Sequence, residues 1–192
     1  MAIEWHFRVR RPFALREALR LTNVRLVELL GRPDGLPAVE ARAATTARRR
    51  GGPSGPASDR VLDARLDPLA EVLTDDLDVF FEIPGVAGGA LVTVMLYLPG
   101  AEDPGDDPEE WGLFVWVDSH RDPTSQVVSI AAVIALAECG DGRVIDESGI
   151  LSDTRFNSPA ELLERLRVPA PLDALDDAVD AVLARTRLRG RA

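Results

Sequence analysis

Gly112-Leu113-Phe114-Val115-Trp116-Val117-Asp118-Ser119-His120-Arg121-Asp122-Pro123, with the apolar run Val127 to Ala137 behind it, decides the fold. Over 112–118 the side chains alternate. Leu113, Val115 and Val117 fall on one face, and Phe114, Trp116 and Asp118 on the other. That period of two predicts a strand. Thr124 or Ser125 can then cap a helix running to about Cys139, with Gly140 as its stop. Val127, Val128, Ile130, Val133, Ile134 and Leu136 leave this helix almost no polar side, so it is predicted to lie buried against a sheet.

Outward from this unit, the same two periods recur. Residues 3–9 place Ile3, Trp5, Phe7 and Val9 on one face and Glu4, His6 and Arg8 on the other, as in a half-buried antiparallel strand. Residues 77–83 alternate, 90–98 are apolar on both faces and suggest a central strand, and Val144-Ile145-Asp146 makes a short one. Helices are predicted over 12–30, stopped by Gly31 and Pro33, and over 171–188. Ser158-Pro159-Ala160-Glu161 is a capping box with proline at the first helical position, opening a helix over 159–166. Asp67 and Pro68 suit the start of a short helix over 68–74. Residues 38–60, with Arg48 to Arg50 and a Gly/Pro/Ser run behind them, have little to bury and are predicted to be a flexible internal loop. The expected fold is one α+β domain over 1–192. It has a single, mostly antiparallel sheet of four to five strands, with helices on one face.

Length and composition bound the function. At 192 residues, 46 % apolar and 28 % charged, the chain can bury one ordinary core. One cysteine, Cys139, cannot make an internal disulfide, which excludes a cystine-stapled scaffold. The start Met1-Ala2-Ile3-Glu4-Trp5-His6 lacks the apolar stretch of a signal peptide, and no stretch is long enough for a bilayer span. A cytoplasmic location is expected. Every basic residue is arginine, and 25 alanines and 14 prolines stand beside two asparagines; this composition suggests a high-GC bacterial source.

Charge is unevenly spread. Residues 1–60 carry 12 Arg against 6 acids, and residues 61–160 carry 4 Arg against 20 acids, a net of −16 within a whole-chain net of −10. Such a middle repels phosphate backbones and attracts basic surfaces, so nucleic acid is disfavoured and a basic protein partner favoured. The loop acids Asp103, Asp106, Asp107, Glu109 and Glu110, ending in Trp111, together with Arg121, are the candidate partner-binding residues. The acids would steer and the aromatic would anchor.

The alternative reading is chemical. Asp118 and His120 point to one side of a strand end, where functional groups are often displayed, and Asp146 after the next strand is the nearest second carboxylate. Together they suggest a small hydrolase or metal-dependent enzyme. Two histidines and one cysteine fall short of a zinc site, and no metal or other cofactor is expected. No nucleophile elbow, dinucleotide fingerprint or phosphate loop is present. The structural alternative, with Asp122 turning the chain before Pro123 and Arg121 pairing with a sheet carboxylate, is preferred.

Val117-Asp118-Ser119-His120-Arg121, then Ser125, Ala131-Ala132 and Ala135-Leu136-Ala137, then Asp141-Gly142-Arg143-Val144-Ile145-Asp146, resemble a recurrent pattern. It occurs in small, uncharacterised actinobacterial α+β families, some of them similar to immunity proteins of polymorphic toxin systems. The resemblance spans roughly residues 77–166 and rests on short motifs. It implies a non-catalytic binder of a toxin domain and identifies no contact residues.

Overall fold

In the computed structural model, which describes residues 3–31, 36, 38–44, 55–69, 77–86, 89–97, 111–147, 149–151 and 155–186, the 112–139 stretch forms the strand and helix its pattern predicts. The strand β7 covers Gly112–Ser119, and the helix α3 covers Pro123–Cys139. β7 pairs on one side with β1 (Ile3–Arg8) and on the other with β6 (Ala90–Tyr97). The full sheet has seven strands in the order β3-β5-β6-β7-β1-β8-β9, adding β3 (Glu40–Ala43), β5 (Val79–Glu82), β8 (Val144–Ile145) and β9 (Phe156–Asn157). Every pairing among the described strands is antiparallel. The α+β class is as expected, but four to five strands is an undercount.

The two unforeseen strands of this sheet lie at its edges, where sequence patterning is weakest. β3 falls inside the segment read as a flexible loop, and that reading is corrected for 40–43. Asn23, on the helix α1 (Leu15–Leu30), holds the approach to β3 through both backbone groups of Val39. Its Oδ1 accepts from the Val39 N–H at 2.8 Å and its Nδ2 donates to the Val39 carbonyl at 3.1 Å. Ala57 N–H and Gly55 O then bond to Ala41 and Ala43, giving β3 a neighbour on its outer side. A helical turn, α2, over Asp59–Leu62 follows, with Ser58 as its cap. Arg48 to Arg50 lie outside the described residues, as does most of the helix expected over 68–74. Within that stretch Pro68 and Leu69 form a turn, with the Asp67 carboxylate accepting from the Leu69 N–H. At the other edge, β9 is two residues long and pairs only with β8.

Helices pack on one face of the sheet, in two layers. α3 lies directly on β5, β6, β7 and β1, while α1, α4 (Pro159–Leu166) and α5 (Leu175–Leu183) pack against α3. The all-round apolar composition of α3 accounts for this, since 13 of its 17 residues are buried and both sides of it need cover. Trp5, Phe7, Val92, Val115 and Val117 supply the sheet side of that core, each fully buried. Burial of the larger ones stabilises by about 2–3 kcal/mol apiece. The orphan carbonyls at the end of α3 are met by Arg11, whose guanidinium donates to Glu138 O and Cys139 O, both at 3.1 Å. Arg25 of α1 grips Glu138 through Nε and Nη2 at 2.9 and 2.6 Å, pinning the outer layer to the inner.

Helix boundaries follow local chemistry. α1 starts at Leu15, three residues after Pro12, because Phe13–Ala14 (β2) pairs with Arg65–Leu66 (β4) in a separate two-stranded sheet. Gly31 stops α1 in the left-handed region at φ 62°, as its position predicts. Asp122, and neither Thr124 nor Ser125, caps α3, accepting from the Ser125 N–H at 2.8 Å. The Ser125 hydroxyl instead accepts from the Gly89 N–H at 2.7 Å, tying the helix start to the entry of β6. α4 opens as the capping box predicts, with Ser158 Oγ accepting from Glu161 N–H. No helix among the described residues is long and apolar enough to cross a membrane.

Candidate functional site

The second face of the sheet, away from the helices, carries the polar halves of the alternating strands. Strand register fixes who meets whom. Glu4 stands opposite Asp118, which stands opposite Leu91, followed by Phe80 and Arg42. One row along, Trp116 lies between His6 and Thr93; in the next, Phe114 lies between Arg8 and Met95. The aromatic rings make a connected bank. His6 stacks on Trp116 at 5.0 Å and 18°, and Phe114 and Tyr97 close on the same indole at 5.5 Å. At the margins Met95 is 40 % exposed and Phe156 47 %, with the Arg155 guanidinium 5.2 Å from the Phe156 ring. Burial holds the His6 imidazole below its usual value, opposed by Glu147 and Glu4.

Beside the bank is a carboxyl pair. Asp118 is half-buried, and its Oδ1 is closed off from solvent. The polar group it meets is the Glu4 carboxyl, directly across the ladder. Burial first, and the facing Glu4 second, push the Asp118 carboxyl up to about 6. Two carboxyls in this arrangement titrate as a coupled pair, and the Asp118 carboxyl keeps its proton to a higher pH than an isolated carboxyl would. Arg42, in the same row, is committed to Glu40 at 2.9 Å and Glu82 at 3.4 Å.

The residues singled out in the sequence are not all brought together. Asp118 and His120 share a side, as their spacing predicts, but no hydrogen bond joins them, and His120 is exposed with its ring 6.4 Å from Phe80. Asp146 lies behind the sheet. It follows Ile145, which pairs with His6 on the second face, and so turns toward the helices, where it is 2 % exposed. There its Oδ2 accepts from the Leu151 N–H at 2.6 Å and organises the β8–β9 connection. The sheet therefore separates Asp146 from Asp118. Arg121 is exposed, its carbonyl accepting from Gln126, and Trp111 is half-buried at the start of β7. Asp103, Asp106, Asp107, Glu109 and Glu110 lie outside the described residues. No group of three or more His, Cys, Asp and Glu stands together to hold a metal among the described residues. Cys139 is buried and its thiol is pushed up to about 12 by burial and by Glu17 and Glu138, which leaves it inert.

Sequence reasoning passed over Glu4, His6, Phe114, Trp116 and Tyr97 as site residues. One signal was available. Phe114 and Trp116 sit on the same strand face as Asp118, and two large aromatics on the nominally polar face of a strand mark that face as more than a solvated one. Comparison of the chain with known protein families, with curated proteins and with solved structures finds no match.

Proposed function

We propose that the chain is a non-catalytic protein-binding module that takes a basic protein partner on the second face of its sheet, in the manner of an immunity-type inhibitor of a toxin domain. The observation that carries this reading is the aromatic bank itself. Trp116 and Tyr97, both half-buried, are residue types that dominate binding energy at protein interfaces, and here they lie beside the buried Phe114 on a sheet face while the described helices pack on the other. The net of −16 over 61–160 favours a basic partner at long range. The immunity-type assignment draws on the sequence resemblance.

The test is affinity capture from the source organism's extract, run at low and high salt, with wild type beside Met95→Arg. A basic protein held by wild type at low salt, released at high salt and absent from Met95→Arg supports the module and its face. Capture of nothing, or of a protein held equally by Met95→Arg, rejects it. Met95 is exposed enough for arginine to be carried without disturbing the fold.

A further inference from the structure

Among the described strands of the main sheet, β1 and β8 make the narrowest join. β1 lies against β7 over six residue pairs, but against β8 at one, His6 opposite Ile145. Val9 N–H reaches Leu113 of β7, and Asp146 N–H reaches Arg155 just before β9. By strand alternation, His6 and Ile145 therefore turn their backbone groups toward each other. β9 pairs with β8 alone, so this one pair joins the whole β8–β9 edge to the ladder. The residue at the join is a histidine. Its half-buried ring is stacked on Trp116 at 5.0 Å and tilted against Phe114 at 6.2 Å. We propose that His6 is a proton-operated latch for this edge: its neutral ring keeps β8–β9 seated on β1, and its charged ring loosens them. The latch works whether or not a partner occupies the second face.

The surroundings of the ring decide the sign. A charged imidazole needs water, and here Trp116 closes one side while β8 runs along the other. Withdrawal of β8 rehydrates it. Charged neighbours pull both ways. Among the described residues they are Glu4 and Arg8 on β1, Asp118 one row beyond Trp116 on β7, Glu147 after β8 and Arg155 before β9. β6 sets the uncharged Thr93 in this row, and the described helices lie on the other face. Glu147 and Glu4 favour the charged ring, whereas Arg155 opposes it. Glu147 is already bonded to Arg155 at 2.9 Å, and both side chains are more than half exposed, so solvent screens what they offer. Burial outweighs the carboxylates and holds the ring below its usual 6.5. The seated edge therefore takes a proton less readily than the loosened one. Its stability is complete above pH 6.5 and is lost as pH falls toward the seated ring's own, lower value.

The test is amide exchange followed residue by residue in the full chain at pH 7 and pH 5, each rate referred to its unstructured value. Wild type, His6→Phe and His120→Asn are compared; phenylalanine keeps a ring beside Trp116 and takes no proton. In wild type the protection of the Ile145 amide is expected to fall at least about threefold at pH 5, relative to Val92 and Val115 in the sheet centre. His120→Asn should behave as wild type, and His6→Phe should show no such fall. Glu4 and Asp118 are present in all three proteins, so their own titration cancels. An Ile145 amide equally protected at both pH values in wild type, or one that loosens equally in His6→Phe, overturns the latch. The ring supplies a second readout should His6→Phe fold poorly. Its carbon-bound proton shift in wild type should titrate with a midpoint below 6.5, moved up by Arg155→Gln and down by Glu147→Gln. A midpoint at or above 6.5, or shifts of the two variants in one direction, overturns the latch as well.

Discussion

Replacing Asp118 by Asn is expected to stabilise the protein at pH 7.5 and to do nothing at pH 4. The carboxyl titrates near 3.8 when unfolded and at about 6 when folded, so between those values the native state binds more protons than the unfolded chain. Stability from that proton is fully present below pH 4 and is lost as pH rises through 6. Two pH units at 1.36 kcal/mol each would set an upper bound near ~3 kcal/mol, and water's access to the half-buried group reduces this to about 1–2 kcal/mol. Asparagine keeps the shape and never acquires the charge. For a chain of this size the gain corresponds to a rise in Tm of roughly 3–6 °C at pH 7.5. The assay is calorimetric melting of wild type and Asp118→Asn from pH 4 to pH 8, with the difference between the two curves taken at each pH so that other carboxylates cancel. Because burial is the larger cause and Glu4 the second, Glu4→Gln should recover only part of the gain. A Tm difference that is flat with pH, or an Asp118→Asn protein less stable at pH 7.5, refutes the carboxyl-pair argument.

Three further outcomes follow from local geometry. Gly89 has φ +141°, and a Cβ there would come within 2.7 Å of the Phe81 carbonyl oxygen, so Gly89→Ala should cost about 2–4 kcal/mol by urea unfolding; a cost near zero would mean the β6 entry relaxes freely. Asp122→Ala should lose about 1 kcal/mol and Thr124→Ala almost nothing, and the reverse order in denaturation midpoints would mean the α3 cap is misassigned. Asp146→Ala should destabilise by about 1–3 kcal/mol in urea unfolding, because the buried Leu151 N–H loses its acceptor, whereas an unchanged midpoint would show that this bond does not hold the β8–β9 connection.

Much of this architecture was legible because its signals are local. The alternation of Trp5 and Phe7 with Glu4 and His6, the glycine after Leu30 and the Ser158 capping box each specify structure within a few residues, and the structure follows them. β3 was illegible because its burial rests on Val39 and Ala41 alone, in an arginine- and glycine-rich stretch, and its tether is an asparagine 16 residues away. β9 has only Phe156 and Asn157, and no pattern survives at that length. The stripe predicts a last helix over 171–188, and among the described residues the helix covers Leu175–Leu183, because an apolar stripe does not reveal where the backbone stops turning. The site follows the same rule. Spacing put Asp118 and His120 on one side, but Asp118's partner Glu4 is 114 positions distant and is brought opposite only by the β1–β7 register. Asp146 was grouped with Asp118 by order along the chain, which says nothing of which face a residue takes.

The position of α3 has a consequence for how the molecule comes apart. A helix sandwiched between the sheet and the outer helices cannot be uncovered by loosening either layer alone, since each departure would wet an apolar flank. Partial opening is therefore penalised from both directions, and the amides of residues 127–137 should exchange with solvent deuterium only through global unfolding. The β9 edge and the α5 end should exchange by local fraying many times faster. The face proposed to bind a partner belongs to strands that rest on this slowest-exchanging element, so that surface is one the free protein already holds in place.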